Sequence, residues 1–263
     1  MIGRLGAHMA STGPLAGGCS GIEEAMGARG DLAFAIHGQL APVIEILLPP
    51  GQSLLADFRS LLSFSETIRT EGGSATESTG QRLANADSGL AQRVLLASGE
   101  PCTIGAYDLR HYGGKLLVPQ PAMIAAGPGV SLGLYARFKS LRSPARPRGL
   151  ELLLAEGSGW LFARARGDVQ EILLAPGKVV CARALAISAL TATVDIDLMD
   201  GSESVDSEGL TLPVHIARLR GPGRVWLQSI PFDDDGPAAL PRPPLFEATA
   251  SLELPRPAER QSG

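Results

Sequence analysis

A chain of 263 residues with formal net charge −4, 44% hydrophobic and only 5% aromatic residues has the material for a sizeable aliphatic core, and it lacks the basic face that nucleic acid usually demands. Its 32 glycines and 20 prolines argue for many turns and against long helices. Three widely separated cysteines, Cys19, Cys102 and Cys181, fit neither a disulfide framework nor a zinc site, and they agree with a reducing cytoplasm.

In chain order, residues 1–31 are small and polar without a steady period, and they predict a flexible arm. The LAGGC stretch ending at Cys19 has one glycine too many and no preceding apolar run for a lipoprotein signal. Strands are expected from residue 32 onward, with exposed loops over 70–80, 140–149 and 200–209. The stretch between Lys115 and Arg137 holds no charge and is long enough to span a bilayer. Pro119, Pro121 and Pro128 with Gly127, Gly129 and Gly133 interrupt it, so buried strands joined by turns are the better account. After Pro231 the chain is rich in proline, alanine and acids, which predicts a disordered tail over 232–263.

An internal repeat organises the middle of the chain. Residues 42–68 (PVIEILLPPGQSLLADFRSLLSFSETI) align without a gap on 168–194 (DVQEILLAPGKVVCARALAISALTATV), an offset of 126. Half that offset reveals a fainter copy around Gly113-Gly114, so that Gly51, Gly114 and Gly177 are equally spaced. Each copy reads strand, turn, strand, turn, strand, with glycine supplying the positive φ of the first turn. Three β repeats follow, over 32–84, 85–148 and 149–231.

Two glycine-rich stretches invite a different explanation. GPGRVWLQS (Gly221–Ser229) and GSGWLFARA (Gly157–Ala165) both carry Gly-x-Gly, as a phosphate-binding loop does. Neither is followed by a helical pattern, and a phosphate cradle needs that helix N-terminus. Gly221 and Gly223 are therefore structural turn residues, like Gly51, Gly114 and Gly177.

Glu208-Gly209-Leu210 together with Gly221–Gln228, PVIEILLPPGQSLLAD (42–57) and GDVQEILLAPGK (167–178) resemble the family of altered inheritance of mitochondria protein 24, over about Leu32 to Pro231. The resemblance implies an all-β chain of three tandem short double-stranded β-helix repeats in a sandwich-like arrangement. These are similar to the subunit of the tryptophan-sensing RNA-binding attenuation protein. It further implies a homotrimeric ring of nine such units and no established catalytic residues, with a mitochondrial branch linked to inner-membrane organisation. The chain departs from the family pattern where Arg183 and Ala186 stand near an aspartate and a histidine, and where DFRSLL replaces a Gly-Ala-Met stretch.

Catalytic and metal chemistry find little support. A cupin metal site needs clustered histidines and a carboxylate, whereas His8, His37, His111 and His215 are scattered over the arm and different repeats. No nucleophile elbow occurs. Cys102 and Cys181 sit in apolar, strand-like runs that predict buried, inert thiols. Glu45 and Glu171 occupy matching repeat positions, which suggests a repeated structural role. Arg164, Arg166, Arg218, Arg220 and Arg224, with the tyrosines Tyr107, Tyr112 and Tyr135, are the residues an RNA-binding ring would use.

The expectation is a non-enzymatic scaffold or interaction protein. It has no catalytic residues, cofactor, metal or transmembrane segment, and it assembles with itself as a homotrimer and with unidentified protein partners. It is placed in the cytoplasm, with peripheral membrane association left open. An RNA-binding ring and a degenerate cupin-like metal enzyme are the alternatives.

Overall fold

The computed structural model describes residues 32–71, 80–86, 89–139, 149–205 and 211–232. The arm (1–31), most of the tail and the centres of the expected loops at 72–79, 140–148 and 206–210 lie outside them. Within the described residues the chain is all β, apart from short 3-10 turns.

The first seven strands are β1 (Ala33–His37), β2 (Val43–Leu48), β3 (Ser53–Ala56), β4 (Leu61–Phe64), β5 (Arg69–Glu71), β6 (Gln81–Ala84) and β7 (Gln92–Ala97). Six follow: β8 (Thr103–Asp108), β9 (Lys115–Pro119), β10 (Met123–Ala126), β11 (Val130–Lys139), β12 (Gly149–Gly157) and β13 (Trp160–Ala165). The last six are β14 (Val169–Leu174), β15 (Val179–Arg183), β16 (Ile187–Thr191), β17 (Asp195–Val205), β18 (Thr211–Arg220) and β19 (Gly223–Gln228). They form four sheets, ordered β1-β2-β7-β4, β5-β6-β3-β10-β13-β8, β11-β12-β9-β16-β19-β14 and β15-β18-β17.

Every pairing is antiparallel, and the same partners recur. β2, β8 and β14 pair with β7, β13 and β19 respectively. Those three also pair with β4, β10 and β16, and each pairing has a bulge just after the first residue, Leu61, Met123 or Ile187. β3, β9 and β15 pair with β6, β12 and β18, which in turn pair with β5, β11 and β17. Two further contacts join the sets edge to edge, β3 with β10 and β9 with β16.

The alternation read from the sequence explains why these runs are strands. In β2, Ile44, Ile46 and Leu48 are fully buried while the residues between them are half-buried, the period-2 pattern of a sheet with one core face. Three aliphatic cores result. Phe162 lies in the first with Ile44, Leu83 and Leu96. Leu116, Val118 and Leu161 form the second, and Leu152, Leu190 and Val225 the third. The uncharged stretch between Lys115 and Arg137 supplies β9, β10 and much of β11, with the 3-10 turn Gln120–Ala122 between the first two. Among the described residues no helix is long and apolar enough to cross a membrane.

One expectation about the elements needs revising. The polar run expected as a loop over 200–209 is strand as far as Val205, because its backbone pairs with β18 from Asp200 opposite His215 to Val205 opposite Thr211. Ladder pairing outweighs the loop-like composition there. The second turn of each copy is a 3-10 turn, at Phe58–Ser60, Gln120–Ala122 and Ala184–Ala186. β7 pairs back to β2 and β4, and β12 pairs back to β9 and β11.

Candidate functional site

The turn glycines occupy the backbone region that only glycine enters freely. Gly51, Gly114 and Gly177 have φ of 72°, 76° and 75°. At the first and third, the amide of Gln52 donates to Pro49 O and that of Lys178 to Ala175 O, so Pro-Gly fills the two central positions of a type II turn. Gly51 N donates to Asn85 O while Asn85 N donates to Gln52 O; likewise Gly177 N donates to Gly221 O while Gly221 N donates to Lys178 O. Gly221 therefore serves as the turn partner of Gly177. A Cβ at Gly221 would collide with Leu174 and the Ala175 carbonyl, and one at Gly223 (φ 153°) with Thr191 and Val194. A strand follows in both Gly-x-Gly stretches, β19 after Gly221-Pro222 and β13 after Gly157-Ser158-Gly159.

The charged residues are largely spent on one another. Glu45 receives Arg93 at 2.8 Å and His37 at 3.1 Å, and Glu171 is paired with Arg224. Arg93 and Arg224 both reach diagonally across the strand pair, the geometry in which opposite charges attract on a sheet face. Arg164 is buried: its Nε donates to Pro121 O at 2.7 Å, its Nη1 to Ser98 O at 2.9 Å, and its Nη2 lies 3.5 Å from Asp57. Arg166 approaches Glu100 at 3.6 Å and donates to Pro231 O. Arg218 stands opposite Asp197, and Arg220 opposite Asp195, in the β17–β18 register.

Among the described residues, His37 and His111 have separate carboxylate partners. His37 is at the end of β1 against Glu45, and His111 lies 3.8 Å from Asp108, which is itself clamped by Arg110. His215 falls on β18, and His8 lies outside the described residues. Among the described residues no three His, Cys, Asp or Glu side chains are grouped to hold a metal. Burial alone would push the Asp108 carboxyl up, but hydrogen bonds from the Arg110 side chain and amide hold it below the usual carboxylate range.

The two thiols differ. Cys102 is buried as expected, and its burial pushes the thiol up despite a hydrogen bond with Ser98. Cys181, expected to be buried, is exposed: strand alternation turns Val180 and Ala182 into the third core and Cys181 onto the opposite face of β15. On that strand Cys181 is paired opposite Arg218.

Two features lie beyond what the sequence indicated. Tyr107, Tyr112 and Trp226 pack edge to face, with Trp226 centroids 5.2 and 5.4 Å from the two tyrosines. The Trp226 indole N–H is buried without an acceptor among the described residues. Burial raises both tyrosine hydroxyls, and the nearby Glu171 adds to this. The only sequence signal was a Trp in each of two similar stretches. The second feature is an unsatisfied pair of edges. β4 ends the first sheet and β15 ends the fourth. Phe58 (68% exposed), Leu62 (60%) and Phe64 (40%) cluster on β4 and the turn before it. The β10 residues that match Leu62 and Phe64, Ile124 and Ala126, are buried, and β3 pairs alongside β10.

Comparison with known proteins agrees with this architecture. The structure is similar to that of protein SPYM3_0169 from Streptococcus pyogenes, with a TM-score of 0.59 and 19% sequence identity, covering 76% of this chain and 94% of that one. At that identity the likeness speaks for the fold. No curated protein matches. The family model described as Mitochondrial biogenesis AIM24 matches residues 34–230, the span that carries every described strand except the first residue of β1, and the chain belongs to that family.

Proposed function

We propose that the protein is a non-enzymatic scaffold or interaction protein made of three copies of one double-stranded β-helix unit, 43–97, 103–165 and 169–228, that closes head to tail into a homotrimeric ring. One observation carries this: the pattern that joins the units inside the chain is left incomplete at both ends. β3 pairs with β10 and β9 pairs with β16, so β15 and β4 are the strands of the same two kinds that have no counterpart among the described residues. Joined across two copies, they would continue the order β17-β18-β15 directly into β4-β7-β2, the six-strand order of the two internal sheets. Edge strands with exposed apolar residues favour such pairing, and a closed rotation leaves neither β4 nor β15 unpaired in any copy. The number three comes from the family resemblance.

The non-enzymatic part of the proposal is supported by the scattered histidines and by carboxylates already held by arginines. An RNA-binding ring would need unengaged arginines, and Arg164, Arg166 and Arg224 are committed within the chain.

Native mass spectrometry of the intact chain tests the assembly. A mass of three chains, reduced to one by Leu62→Glu on β4, supports the ring; a monomer in the unaltered protein overturns it. Excess mass would identify a bound metal, nucleotide or lipid. RNA retained at low salt and released steeply as salt rises would favour the RNA alternative.

A further inference from the structure

β14 reads VQEILL and β2 reads VIEILL, identical except at the second position. Their surroundings differ. The edge of β2 facing away from β7 is covered by β1, with Ala33 opposite Leu47, Ala35 opposite Glu45 and His37 opposite Val43. Phe34 and Ile36 of β1 pack into the first core. β14 is the terminal strand of its sheet, and no described strand lies along its outer edge. Where Ile44 and Ile46 are fully buried, Gln170 is exposed and Ile172 half-buried, and Leu173 is 70% exposed.

Backbone and charge both match the covered edge. Asp168 O accepts from Ser229 N on the β19 side. Strand alternation therefore points the N–H and C=O of Val169, Glu171 and Leu173 toward the open side. Glu45 divides its carboxylate, Oε1 to Arg93 and Oε2 to His37. Glu171 gives Oε1 to Arg224. Among the described residues Glu171 has no ion pair besides that with Arg224, and it holds the strand position from which Glu45 also pairs with His37.

We propose that the open edge of β14 is a strand-addition site for an extended, antiparallel segment of a protein partner. The segment it fits has two large apolar residues spaced by one, followed directly by a basic residue, the pattern of Phe34-Ala35-Ile36-His37. Main-chain hydrogen bonds supply affinity, and the apolar pair with the basic side chain supplies register. This site does not depend on ring closure, which uses β4 and β15.

The probe is a fluorescein-labelled peptide, DLAFAIHGQ, the sequence of residues 31–39, titrated into the intact chain and read by anisotropy. Saturable binding is expected, weakened at least ten-fold when serine replaces both large apolar residues of the peptide. Leu173→Pro should weaken it similarly, since it removes an outward N–H and spares the β19 side. Leu173→Lys serves if the proline variant does not fold. Glu171→Lys should weaken the wild-type peptide and bind better one with glutamate in place of its histidine. Absence of saturable binding, or binding indifferent to all these changes, overturns the proposal. So does peptide that binds only by releasing chains from a larger species, because a second copy would then be the occupant.

Discussion

Arg164 on β13 and Gln228 on β19 make the same hydrogen bond: each donates to the carbonyl of the middle residue of a 3-10 turn, Arg164 Nε to Pro121 O at 2.7 Å and Gln228 Nε2 to Leu185 O at 3.0 Å. Each thereby ties its strand to the turn that leads into that strand's own partner, β10 or β16. Arg164 also holds Ser98 O and faces Asp57, whereas Gln228 accepts the Arg166 amide. Arg164→Ala should therefore cost about 3 kcal/mol, since it leaves buried acceptors without donors. Gln228→Leu should cost about 1–2 kcal/mol. Urea denaturation of the two variants measures both, and Arg164→Lys should recover little, because a single ammonium cannot reach the same forked set of acceptors.

The turn glycines separate into two classes. At Gly51 and Gly177 a Cβ would meet nothing within 4 Å, so alanine there costs only the left-handed backbone penalty, about 1 kcal/mol. Gly223→Ala adds a collision with the Thr191 hydroxyl and Val194, and should cost at least ~3 kcal/mol or prevent folding. Thermal melting of the three alanine variants should rank Gly223 far below the other two.

Asp108 predicts an acid dependence. Its carboxyl is lower in the folded chain than in the unfolded one, held there against burial by Arg110. Its contribution is therefore complete above the unfolded value of about pH 4 and is lost as pH falls through the folded value. Asp108→Asn should flatten the decline in stability below about pH 4, and chemical denaturation at a series of acid pH values reads the slope.

If β15 of one copy pairs with β4 of another in the internal register, a particular pair of residues must meet. Leu55 is opposite Ala126, and Leu117 opposite Leu190. Cys181 stands where Leu55 and Leu117 stand, and Phe64 where Ala126 and Leu190 stand. Phe64→Cys should therefore cross-link to Cys181 between chains under mild oxidation, because directly opposed strand residues lie within disulfide reach. Non-reducing electrophoresis should show covalent multimers that are absent when cysteine is introduced at Phe58 instead.

How much of this was legible in the sequence follows from what each residue depends on. Gly51, Gly114 and Gly177 were readable because a turn that needs positive φ is a local property of a few residues. The alternation of VIEILL and VQEILL gave two strands for the same reason. The β strand through Asp200–Val205 was missed, since its polar residues become strand only by pairing with β18. The exposure of Cys181 was likewise hidden: VVCARALAI has the apolar pattern of a strand covered on both faces, and only the packing shows that the face opposite to Val180 and Ala182 is open. The matched glutamates were visible, but that Glu45 serves two cations and Glu171 one depends on β1 lying beside β2 and on nothing described beside β14.

In the proposed ring the two joining strands, β4 and β15, are unlike each other, which would give the chain a direction. A copy with a damaged β15 would then still be accepted through its intact β4, yet would offer nothing to the next. Mixed with unaltered protein, such a copy would act as a terminator, and the deficit would grow faster than its share of the mixture. In a cell carrying both versions, a defect at either edge would behave as dominant, whereas a defect that simply unfolds the chain would remove only itself.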